Sequence, residues 1–217
     1  YPYFYGYQTA GVFQNQAEIE ASGLKYGDAS PKPGDLIFVD QNGDDVIDDA
    51  DNTKIGKGMP DWTFGFSLTA DWKGFDFVAQ FQGVTGVEVY DATRRNDLSF
   101  INLPTSIKDR WTGEGTSTTV PKFYNSDYNN HSSDFFVHDG SYLRLRNIEL
   151  GYTLPQTLTS KAFISKARVF VSCQNLFTLT KYEGFDPEIG QSTTAIGIDK
   201  GIYPQARTLT FGVNVAF

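Results

Sequence analysis

The sequence predicts an all-β chain, an antiparallel transmembrane β-barrel fragment of about five strands with long exterior loops. Three of five strand-like segments carry aromatic or aliphatic side chains on one face and small or polar ones on the other over about ten residues each, the span of a tilted strand crossing a bilayer. Aromatic residues reach 15%, with 18 Phe and 12 Tyr against one Met and one Cys, a mixture suited to strands with aromatic girdles more than to a helical core. The connections alternate between short and long, as in outer-membrane barrels, and long structureless loops count against a compact soluble sandwich.

The first strand, 62–71, sets Trp62, Phe64, Phe66, Leu68 and Ala70 against Thr63, Gly65, Ser67, Thr69 and Asp71. A tight turn at 72–74 leads into 75–84, where Phe75, Phe77, Ala79 and Phe81 oppose Asp76, Gln80 and Gln82, so the two form a hairpin. The third, 142–152, loses its apolar parity between Leu145 and Ile148, which a bulge or a change of environment explains. The fourth, 167–175, has less cleanly sorted faces. The fifth, 208–217, is the clearest, with Leu209, Phe211, Val213, Val215 and Phe217 against Thr208, Thr210, Gly212, Asn214 and Ala216.

Long connections occupy 85–141 and 176–207, and residues 1–61 precede the first strand. With the carboxyl end on the periplasmic side, all three fall outside the membrane. Five strands cannot close a barrel, and open edges in lipid would leave backbone groups unsatisfied, so the chain is expected to pair with the amino-terminal remainder of the same polypeptide. No run approaches the ~20 apolar residues of a membrane helix, and no basic, apolar leader is present. The chain begins at Tyr1, so either a leader was removed or the chain is a piece of something longer.

A net charge of −8, with Arg94-Arg95 as an isolated basic pair, excludes nucleic acid as a partner. Cys173 is the single cysteine and has no disulfide partner, so it is read as a small buried or lipid-facing side chain.

Residues 40–51 (DQNGDDVIDDAD) carry the spacing of a calcium loop. Hard divalent cations take about six to eight oxygens, supplied here by Asp40, Asn42, Asp44, the carbonyl of Val46, Asp48 and Asp51. Two positions depart from the usual pattern: Asp45 replaces the glycine at position 6, and Asp51 replaces the longer glutamate at position 12. Aspartate is among the few residues that visit positive φ. Six aspartates in this run repel one another without a cation, although a solvated acidic turn remains the bland reading.

Catalysis finds little support. His131 and His138 lie in a loop without a nucleophile motif and are read as solvated or partner-contacting, and Asp186 and Glu188 flank Pro187 in what reads as a structural turn. Tyr124, Tyr128, Phe135, Phe136, Tyr182 and Phe185 are ligand-facing candidates that could equally pack loops together. From these features the chain is either part of a membrane barrel or a secreted, calcium-stapled β-domain for adhesion or carbohydrate binding, with an extracellular hydrolase a weaker third.

The stretches 34–48 (GDLIFVDQNGDDVID), 141–155 (SYLRLRNIELGYTLP) and 174–188 (QNLFTLTKYEGFDPE), with 3–7 (YFYGY) and 11–13 (GVF), closely resemble the carboxyl-terminal third of SusC/RagA-type transporters. The resemblance implies a TonB-dependent outer-membrane importer of a Gram-negative bacterium, with a plugged barrel of about 22 strands. It further implies a SusD-like surface lipoprotein acting as a lid, a TonB complex acting on a plug that precedes this segment, and oligosaccharides or peptides as cargo. Asp45 departs from the family's usual glycine, which bears on the loop's geometry. The run Phe211, Val213, Val215 and Phe217 resembles the signal by which barrel proteins are recognised for outer-membrane insertion.

Overall fold

The computed structural model describes residues 3–27, 30–94, 105–123, 128–189 and 195–217, so Tyr124 and Arg95 lie outside the described residues. The chain divides into two compact units. One comprises Met59–Val87, Asp139–Ile189 and Ile202–Phe217; the other comprises Tyr1–Gly58, Glu88–His138 and Gly190–Gly201.

The first of these is a sheet of five long strands: Trp62–Trp72, Phe75–Thr85, Tyr142–Thr153, Lys166–Gln174 and Thr208–Ala216. They are antiparallel and lie side by side in chain order, with the short strand Thr178–Thr180 pairing beside Tyr142–Arg144. At 9 to 12 residues the strands are about as long as a tilted membrane crossing requires. The register sorts the faces. Phe66 lies opposite Phe81, Leu150 opposite Phe77, Leu150 opposite Val171 on its other side, and Val171 opposite Phe211. One apolar face therefore runs unbroken from the first strand to the last, and Cys173, between Ile148 and Leu209, belongs to it. Cross-strand rings strengthen this face: Phe66 stacks on Phe81 at 4.7 Å and Phe75 meets Tyr152 at 4.6 Å.

The parity slip in the third strand is a bulge. Leu145 pairs with Phe81 while Asn147 pairs with Gln80, so Arg146 is an inserted residue without a partner on the second strand. The insertion lets Leu143 and Leu145 share a face with Ile148, Leu150 and Tyr152.

On the opposite face the side chains are mostly polar or charged. Arg168 reaches across Gly151 to bind Asp76 through both Nε (2.9 Å) and Nη2, and donates to Glu149 at 2.6 Å. A Cβ at Gly151 would collide with that guanidinium, so glycine is required by the crossing itself. Phe170 lies over Gly212 in the same way.

The second unit draws on all three segments expected as exterior loops, though of 176–207 only Gly190–Gly201 belongs to it, and its core is Tyr7, Val12, Leu36, Phe38, Ile47 and Tyr128. Short pairings frame it: Tyr3–Gly6 with Thr53–Lys57, Thr9–Val12 with Leu36–Phe38, and Lys25–Tyr26 parallel to Val46–Ile47. A helix, Gln16–Ser22, is capped by the Asn15 side chain, which accepts from Glu18 N at 3.0 Å, and ends at Gly23 with φ 69°. Buried Asp35 and Asn129 link distant segments: Asn129 Nδ2 donates to Asp35 at 2.9 Å, and its Oδ1 accepts from Leu36 N at 3.0 Å.

Candidate functional site

The acidic loop is organised by its own backbone. Asp40 accepts from Gly43 N (2.6 Å) and Asp45 N (2.9 Å), and the Gly43 bond does most to hold its carboxyl below the usual carboxylate range. Asn42 Oδ1 accepts from Asp44 N, and Asp44 accepts from Val46 N, each at 2.9 Å. Asp48 caps the short 3-10 turn Asp49–Asp51 by accepting from Ala50 N at 2.8 Å. The Asp51 carboxylate accepts from Gln41 N (2.7 Å) and Asp48 N (2.9 Å), closing the loop end to end. Asp45, at position 6, adopts φ 62°, the conformation glycine usually supplies there.

The donor set is hard oxygen throughout, as a calcium ion requires. Asp51 is fully buried, and among the described residues no cationic side chain pairs with it, so its charge rests on two N–H donors. The loop's side chains are not drawn together, however: no group of three or more Asp, Glu, His or Cys side chains stands in metal-holding geometry among the described residues. The carboxylates hold backbone N–H groups, and closing on a cation requires them to turn inward.

Beside this loop, within the same unit, is a half-open pocket of about 460 Å³. Tyr7, Phe38, Tyr128 and His131 form its floor, Tyr26 and Gly27 one wall, and Asp48, Asp49 and Ala50 the rim. The floor is a ring cluster: Tyr7 stacks on Phe38 at 4.8 Å, Phe38 meets Tyr128 at 5.0 Å, and His131 stands edge-on to all three. His131 Nδ1 lies 2.9 Å from the Tyr128 carbonyl, which only accepts, so that nitrogen carries the proton. The histidine read as solvated or partner-contacting is thus built into an aromatic floor. Of the aromatic candidates, Tyr128, Phe136 and Tyr182 are buried and pack loops together, while Phe185 is 77% exposed.

In the strand unit, Asp186 and Glu188 form a four-residue ion cluster with two arginines of the third strand. Arg144 donates to Asp186 (2.5 Å), Glu188 (2.8 Å) and Thr178 (2.8 Å). Arg146, on the bulge, binds Glu188 and Gln82. Asp186 also accepts from Gln205 N at 2.9 Å, so one carboxylate ties residues 181–189 and 202–207 to the strand. Burial works against the charge on Asp186, but the Gln205 and Glu188 N–H groups and Arg144 outweigh it and hold the carboxyl below its usual range. Paired in this way, the two carboxylates serve as a structural clamp.

The fifth strand places Phe211, Val213 and Val215 on the apolar face with their side chains exposed, and Phe217 follows the strand at 91% exposure.

Comparison with known proteins places these features. No family model matches the chain. TonB-dependent receptor P3 of Formosa agariphila is 36% identical over 99% of this chain, and receptor P26 of the same organism is 33% identical over all of it; each match covers 22% of the relative. TonB-dependent receptor SusC of Bacteroides thetaiotaomicron is 31% identical over 88% of the chain and 18% of its own length. The chain thus spans about a fifth of the curated relatives it matches. Among solved structures, the RagAB peptide transporter superposes over 100% of the chain and 23% of its own, with TM-score 0.75 and 27% identity. The RagAB peptide importer in its open-open state gives 0.73 at 28% identity, over 100% and 22%.

Proposed function

We propose, for a chain that belongs to the SusC/RagA family of TonB-dependent outer-membrane transporters, that it forms part of the barrel wall and exterior loops of an importer of oligosaccharides or peptides. The observation that carries this reading is the division of the five-strand sheet into one continuous apolar face and one polar, ion-paired face. An apolar face of this extent is stable against hydrocarbon, and a polar face suits a lumen. A secreted β-domain gives no account of that exposed face.

The remaining strands and the plug belong to the amino-terminal remainder of the same transporter, the TonB complex acts through that plug, and a SusD-like surface lipoprotein closes over the barrel. The likeness to the RagAB peptide importer supports a peptide as cargo. The test is uptake of labelled oligopeptides and oligosaccharides by cells carrying the full-length protein. Uptake should vanish when the TonB complex is disrupted, and uptake that persists would overturn the importer reading. Recovery of the full-length protein as a detergent-free soluble monomer would overturn the barrel itself.

The loop 40–51 is proposed to hold calcium through Asp40, Asn42, Asp44, the Val46 carbonyl, Asp48 and Asp51, stiffening an exterior segment. The buried Asp51 carboxylate, which no cationic side chain among the described residues pairs with, supports this. Metal analysis of the intact protein with chelator titration tests it, and absence of calcium at millimolar supply retires it. Phe211, Val213, Val215 and Phe217 are proposed as the outer-membrane insertion signal, supported by the exposed apolar face that Phe211, Val213 and Val215 share and by the exposed Phe217 ring that follows them.

A further inference from the structure

We infer that the pocket beside the acidic loop binds the cationic side chain of a basic peptide, an ammonium or guanidinium group held between the aromatic floor and the carboxylate rim. At about 460 Å³ the cavity is near the lower end of the range for small-ligand sites, enough for one long side chain and its adjoining backbone. Its acidic lining residues are Asp48 and Asp49, beside the phenols of Tyr7, Tyr26 and Tyr128 and the His131 ring. Asp48 caps the turn that follows it and is one of the proposed calcium donors, so the rim charge offered to a ligand is that of the exposed Asp49.

Among the described residues no lysine or arginine lines the cavity, and the sequence 40–51 contains none while carrying six aspartates. Burial pushes the Tyr26 phenol up, so its ring stays neutral. A ligand rich in donors and positively charged satisfies this inventory. A lysine ammonium brings three donors and an arginine guanidinium five, whereas a phosphate or carboxylate would face the rim charges directly. Tyr7, Phe38, Tyr26 and Tyr128 add ring density of the kind that attracts organic cations.

The inference deepens the importer reading by naming a chemical class of cargo, and rests on that reading only for where the peptide comes from. Binding and uptake are therefore measured separately.

The experiment is calorimetric titration of the full-length transporter in detergent with three end-blocked tripeptides, Ala-Lys-Ala, Ala-Arg-Ala and Ala-norleucine-Ala, and with maltotriose. The lysine and arginine peptides should bind, more weakly as salt rises, and the norleucine peptide and the sugar should not. Ala50→Trp, which fills the cavity from its rim, should weaken lysine-peptide binding by at least about tenfold. Asp49→Asn, which removes a rim charge outside the six proposed calcium donors, should weaken it by about threefold. Heat-modifiable gel migration checks that both variants fold; if Ala50→Trp does not, Asp49→Asn and the salt dependence decide. Equal binding of the norleucine peptide, preferential binding of maltotriose, no lysine-peptide binding, or an affinity untouched by both variants would overturn the inference. Lysine-peptide binding without TonB-dependent uptake would instead overturn the importer reading and leave the pocket standing.

Discussion

Replacing Arg144 with methionine, which keeps length and loses charge, should release the segments that Asp186 and Glu188 hold. Arg144 is 2% exposed and makes three side-chain bonds, to Asp186, Glu188 and Thr178. Its main partner, Asp186, is 4% exposed. Breaking a buried pair by removing one partner costs about 3–5 kcal/mol, because the other charge stays buried. Here the lower end applies, since Asp186 retains the Gln205 and Glu188 N–H donors. About 3 kcal/mol is a factor of ~100 in a local opening equilibrium. Hydrogen exchange of the Gln205 and Glu188 amides in the full-length protein reads it directly, and both should exchange about a hundredfold faster in Arg144→Met. Arg146→Met is the contrast, because its side chain is 30% exposed and an ion pair screened by water is worth about 1 kcal/mol or less, a change of about fivefold at most. Equal acceleration in the two variants, or none in Arg144→Met, would refute burial as the source of the clamp's strength.

The same clamp has a pH signature. Asp186 titrates below its usual value in the folded protein, so its contribution is complete above the unfolded pKa near 4 and fades as pH falls through the lower folded value. Exchange at Gln205 should thus match at pH 7 and pH 5, after correction for intrinsic rates, and quicken only in stronger acid. Gly212→Val would drive a branched side chain into the Phe170 ring, and should lower the folded fraction on heat-modifiable gels by a destabilisation of about 1–3 kcal/mol. Deleting Phe217 from the full-length protein should lower its amount in the outer membrane, as read by immunoblot of that fraction; unchanged assembly removes its role as a signal.

The strands were legible because period two is a local property. All five observed strands begin and end within one residue of the alternating segments, and the broken parity of 142–152 marked the bulge at Arg146. The clamp was not legible, since it joins residues 42 and 44 positions apart through a register that no local pattern fixes. Its one trace is matched spacing: arginines at 144 and 146, acids at 186 and 188, each two apart. The unit built from 1–58, 88–138 and 190–201 was hidden for a related reason, because its core draws single rings from separate segments. The helix Gln16–Ser22 did carry a local signal, Asn15 followed by Glu18 and closed by Gly23, inside a region read as loop. His131 could not be placed from sequence, because its ring neighbours Tyr7 and Phe38 are remote along the chain.

A strand in a two-sided sheet is read in a frame of two, and Arg146 works as a single-letter insertion in that text. Excising it would leave the residues after it in phase and flip the ones before it. Arg144 would then project from the apolar side, and Leu143 and Leu145 would turn to the polar one. One surplus residue thus fixes which side of the wall every earlier letter of the strand is spelled on.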